Sequence, residues 1–134
     1  MQMVAQFLSA AGSEDTIEVA PPAHDRVNVE HTADVANATL KALSRRATGI
    51  YNLAGPKTPT IVEVAELCVE VKNSGSVRVT DAPATLPPFV RFDLETTSDR
   101  IELGFEPGIA LHDGLARSLV GVVENASSTR LQTC

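Results

Sequence analysis

The chain has 134 residues with 11 Lys and Arg against 17 Asp and Glu, a formal net charge of −6. That length suits one compact domain or part of a larger one. A hydrophobic content of 43% is enough for a core and excludes a disordered chain, while the acidic balance excludes a nucleic-acid surface, which needs clustered cations.

No apolar run approaches the roughly 20 residues of a membrane span. The first residues lack the leading positive charge and long apolar block of a secretory signal, so none is expected. Cys68 and Cys134 form no metal-spaced pair, and two free thiols in a reducing cytoplasm are the simplest reading.

In chain order, Met3, Val4, Phe7 and Leu8 recur at helical spacing, with Gly12 ending that helix. Residues 16–20 alternate polar and apolar as a strand until Pro21 and Pro22 break it. Residues 26–30 predict a second short strand with Val27 and Val29 on one face. A helix from about Ala33 to Arg46 should bury Val35, Ala36, Leu40 and Leu43 and stop at Gly49. Residues 49–53 are a strand candidate, and Gly55 and Pro56 turn the chain. Thr60 and Glu63 form a capping box. The helix it opens runs to about Lys72, with Ile61, Val64, Ala65, Cys68 and Val71 inward. Glu63, Glu66 and Glu70 lie on another face, which reads as solvated rather than metal-binding. Residues 76–80 alternate again as a strand, and 82–88 form a proline-rich loop. A last helix spans about 111–124, with Leu111, Leu115, Leu119 and Val122 as its stripe, and residues 125–134 read as a flexible tail. The expected fold class is α/β, with short strands and helices mixed.

Catalytic constellations are scarce. The eight glycines never form GxGxxG or GxxGxxG, and no GxxxxGK occurs. Tyr51 is followed four residues on by Gly55 rather than Lys, so the Tyr-x-x-x-Lys pair of hydroxyl oxidation is missing. No serine sits in a nucleophile elbow. His31 and Asp34, three apart at a helix start, could share a metal or form an acid–base pair; helix capping accounts for both and is favoured. Arg26 and Arg91 both follow Pro-Pro loops, and two planar guanidinium forks could grip a diphosphate.

Four stretches, in order, resemble the C-terminal part of an extended short-chain dehydrogenase/reductase of the NAD-dependent epimerase/dehydratase family. They are RVNVEHTADVA (26–36), GIYNLAG (49–55), TIVE (60–63) with Ala65, Glu66 and Leu67, and LETTSDRIELGFEP (94–107); residues 111–123 match the terminal helix. The resemblance implies the C-terminal portion of a Rossmann-type fold lacking its Gly-rich cofactor-binding half. Residues 1–124 would be a substrate-binding lobe together with the last elements of the cofactor-binding sheet. It implies Arg26, Asn28, Arg91 and Asp93 as substrate-binding residues, no catalytic residue and no metal ligand. NAD or NADP would serve the full-length enzyme and none is expected on this chain alone. The implied partners are a small-molecule substrate, with a nucleotide sugar among the options, and the missing N-terminal Rossmann half. A homodimer of the full enzyme is allowed, and nucleic acid and membrane are not implied. The alternative is a freestanding, non-catalytic binding or interaction module derived from that lobe.

Overall fold

The computed structural model describes residues 2–82 and 99–118. Four helices and two strands follow in chain order: α1 (Gln2–Gly12), β1 (Thr16–Val19), α2 (Thr32–Arg45), α3 (Ile61–Lys72) and β2 (Ser76–Val79), then α4 over residues 111–118. A π-helical turn (Asp99–Leu103) precedes α4. β1 and β2 pair in parallel, with Thr16 opposite Ser76 and Val19 opposite Val79. A parallel pair needs a long crossover, and here α2 and α3 both lie within it. None of the described helices is long and apolar enough to cross a membrane.

The core has two clusters. In the larger, Ala11, Ile17, Val19, Val64, Ala65, Cys68 and Leu115 are buried, and Met3, Val4, Phe7 and Leu8 pack on them from α1. The inward residues of α3 are those that the helical spacing predicts, and Glu63, Glu66 and Glu70 are exposed. The smaller cluster joins Ala38 of α2 to Leu103 and Phe105, with Ala42, Tyr51 and Leu53 against them.

Three expectations are corrected. Residues 26–30 form no strand. Arg26 makes one antiparallel bridge to Thr60, and the pairing ends there because Thr60 caps α3 and the chain turns helical at Ile61. Residues 49–53 are not a strand either, since the sheet of the described residues consists of β1 and β2 alone and both belong to the other cluster. The third correction concerns the face and end of α2. It buries Asp34 and Ala38, whereas Val35, Leu40 and Leu43 are 40%, 66% and 70% exposed and Ala36 is exposed too. The residues packed on α2 approach from the Asp34 side. The helix ends before Gly49, because Arg46 adopts φ 53° and donates its N–H to the Ala42 and Leu43 carbonyls. Residues 83–88 of the proline-rich loop, and 119–134 with the tail and Cys134, lie outside the described residues.

Candidate functional site: a groove beside Arg26

The segment before α2 and the turn before α3 meet at Arg26. Backbone bonds fix this junction: the Val27 N–H donates to the Pro59 carbonyl (2.9 Å), and the Ile61 N–H donates to the Asp25 carbonyl (3.1 Å). The Arg26 side chain is exposed, and its Nη1 donates to the Thr58 carbonyl at 2.6 Å. That bond steadies the guanidinium at one wall of a groove of about 600 Å³. Lys57 and Thr58 share the groove, and Glu63, Glu66 and Glu70 of α3 form its other side. The Thr60 backbone N–H, donating to Glu63 Oε2 at 2.7 Å, holds the Glu63 carboxyl below its ordinary value, and the Arg26 guanidinium adds a smaller pull. All these charges are near the surface, so water screens them, and none is worth much as an ion pair.

Asn28 clasps the neighbouring turn. Its Nδ2 donates to the Leu53 carbonyl (3.1 Å) and its Oδ1 accepts from the Gly55 N–H (3.0 Å). Gly55 is required here because a Cβ would run into the Val29 carbonyl. Asn28 therefore shapes the turn that leads to Lys57. Arg91 and Asp93, the other two substrate-binding candidates, lie outside the described residues.

His31 and Asp34 do not converge. His31 is the N-cap of α2 and its Nδ1 accepts from the Ala33 N–H (3.1 Å). Asp34 is 6% exposed, and its Oδ2 accepts from the N–H groups of Gly108 (3.2 Å) and Ile109 (2.9 Å). The capping reading holds for His31, and Asp34 staples α2 to the segment before α4. Among the described residues, no group of three His, Cys, Asp or Glu side chains could hold a metal ion. Tyr51 donates its hydroxyl to Glu102 Oε2 at 2.6 Å, which ties the turn after α2 to the π-helical turn. Burial pushes the Cys68 thiol up to about 11, so it is a protonated core side chain rather than a nucleophile. A second cavity of about 110 Å³ lies between Val4, Val29, His31, Ile109 and Leu111 and is mostly apolar.

The groove can bind an anionic or hydroxyl-rich molecule, with two cations on one side and carboxylate acceptors on the other. No Cys, Ser or His is among the described residues that line it. A pyrophosphate commonly sits on open N–H groups at a helix N-terminus; at the start of α3 the Thr60 hydroxyl occupies the Glu63 N–H, and at the start of α2 His31 Nδ1 occupies the Ala33 N–H. Reasoning from sequence missed Lys57, Thr58 and Glu66 as groove residues. The available signal was the position of Lys57 and Thr58 in the turn just before the capping box, which pairs with Arg26.

No family profile matches the chain. A curated relative, dTDP-glucose 4,6-dehydratase of Streptomyces niveus, is 33% identical over 97 residues, covering 72% of this chain and 29% of the relative. Among solved structures, the dTDP-glucose 4,6-dehydratase of Bacillus anthracis in complex with NAD superposes with a TM-score of 0.74 at 16% identity, over 93% of this chain and 40% of that one. The UDP-glucose 4-epimerase of Thermotoga maritima with UDP-glucose gives 0.68 at 17% identity, over 92% and 40%. The chain thus spans under half the length of the proteins it matches. The mixed α/β expectation and the resemblance drawn from the motifs are both borne out.

Proposed function

We propose that this chain, which matches the C-terminal part of the extended short-chain dehydrogenase/reductases of the NAD-dependent epimerase/dehydratase family, is the substrate-binding portion of such an enzyme. Its ligand is a nucleotide sugar. The observation that carries the reading is the exposed Arg26 guanidinium, held by the Thr58 carbonyl beside Lys57 at the wall of an open groove. Arg26 and Lys57 take the diphosphate, for which a planar guanidinium fork is well shaped. Glu66 and Glu70 accept hydrogen bonds from sugar hydroxyls. Asn28 keeps the turn that presents Lys57. Arg91 and Asp93 complete the set on the strength of the motif alone. The enzyme works in the cytoplasm and uses NAD or NADP held by a cofactor-binding half that this chain does not contain. The isolated chain positions substrate but does not oxidise or reduce it.

The test is a titration of UDP-glucose and of dTDP-glucose into isotope-labelled protein, followed by amide NMR. Shifts should concentrate at residues 26–28 and 57–63. Arg26→Ala should weaken binding about tenfold or more, since a hydrogen bond to a charged group contributes on the order of 1.5–3 kcal/mol. Shifts confined to other regions, or equal affinity in the Arg26→Ala protein, would contradict the assignment.

A further inference from the structure

The charges of the Arg26 groove are sorted along its length. Arg26 and Lys57 stand beside the turn that opens α3, where the Thr58 carbonyl tethers the guanidinium. Glu63, Glu66 and Glu70 then follow on one exposed face of α3. At 1.5 Å per residue, Glu66 lies about 4.5 Å and Glu70 about 10 Å further along the helix than Glu63. The three carboxylates differ in what holds them. Glu63 is committed to the capping box and feels the pull of Arg26. Glu66 and Glu70 lie beyond it, and no ion pair among the described residues reaches either. Half-buried Leu67 lines the groove with them.

We propose that Glu66 and Glu70 set the charge class of the sugar. The groove accepts neutral and amino sugars on a nucleoside diphosphate and rejects sugars that carry a carboxylate. The proposal rests on the reading given under Proposed function, in which the diphosphate sits at Arg26 and Lys57. Those two are the cations among the described residues that line the groove, so the diphosphate uses both. The sugar then extends along α3 over Leu67, whose apolar surface suits the C–H face of a pyranose. Hydroxyl groups there donate to Glu66 and Glu70, and a sugar ammonium donates and also pairs with their charge. A uronate in the same place meets two carboxylates and finds no cation left to offset them. One pair of like charges in contact distance costs about fivefold in affinity even in water. Because both glutamates are exposed, salt should screen the effect.

The experiment measures the affinity of this chain for UDP-glucose, UDP-glucuronate and UDP-glucosamine by calorimetry, at low and at high salt. UDP-glucuronate should bind at least about fivefold more weakly than UDP-glucose, and UDP-glucosamine, with its amine protonated, more tightly. High salt should draw the three affinities together. So should Glu66→Gln with Glu70→Gln, which keeps an acceptor at each position and removes the charge. A purely structural effect of that pair would weaken all three ligands alike and leave their ratios where they were. Equal affinities for the three ligands in the parent chain would overturn the proposal, as would a preference for UDP-glucuronate. Ratios that survive both the glutamine pair and high salt would overturn it too, because the discrimination would then lie elsewhere. The two readings fail separately. Binding of all three ligands with equal affinity defeats the charge selection and leaves the nucleotide-sugar assignment standing, whereas binding of none defeats both.

Discussion

At Asp34 a carboxylate with 6% of its surface exposed receives the backbone N–H groups of Gly108 and Ile109. Burying a charge is unfavourable unless hydrogen bonds replace its water, and here two donors do so. Asp34→Ala would strand both N–H groups, a loss of about 1–3 kcal/mol. Asp34→Asn keeps an oxygen acceptor and should lose less. A urea melt of the two variants against the parent protein tests this, and equal midpoints for all three would show that the staple contributes nothing. Gly104 belongs to the same side of α2. It sits at φ 57°, and a Cβ there would meet the Arg45 guanidinium at 2.7 Å, so the motif's glycine makes room for the Arg45 bond to the Glu102 carbonyl.

At the scale of elements, α3 is the best-specified piece. Thr60 Oγ1 accepts from the Glu63 N–H (3.2 Å), and the Glu63 carboxylate accepts from the Thr60 N–H. Thr60→Ala should cost about 1 kcal/mol. Because the Glu63 carboxyl lies below its ordinary value of 4.5 in the folded chain, its contribution is present at neutral pH and is lost as the pH falls through 4.5 toward the depressed value. Stability measured from pH 7 to pH 3 should therefore fall less steeply in Glu63→Gln, which has no carboxyl to titrate, than in the parent, and identical slopes would refute the coupling. The capping box, the stripe of α3 and the alternation of β1 and β2 were legible in the sequence because each is a local pattern. The facing of α2 was not. Its Leu40–Leu43 stripe reads as a buried side, but which side this chain covers depends on where Phe105 and the π-helical turn arrive from far along the sequence. Residues 49–53 read as a strand for a similar reason. Ile50 and Tyr51 suit a strand, but strand formation needs a neighbouring strand, and that is a property of the assembly. Arg26 was legible from its motif, whereas Lys57 joined it only through the bridge to Thr60.

For the whole molecule, the two core clusters divide the labour. The larger, built from α1, α3, α4 and the two-stranded sheet, carries the Arg26 groove on the outer side of α3. The smaller, around Ala38, Leu103 and Phe105, supports α2, whose apolar side faces away from this chain. Phe105 is 2% exposed, and its truncation would be expected to cost several kcal/mol in a well-packed site. The described residues thus offer an open polar groove on one side and an exposed apolar stripe on the other. The most direct test compares two titrations of the isolated chain by calorimetry, one with UDP-glucose and one with NAD⁺. UDP-glucose should bind and NAD⁺ should give no heat of binding. Saturable binding of NAD⁺ with no response to UDP-glucose would contradict the account.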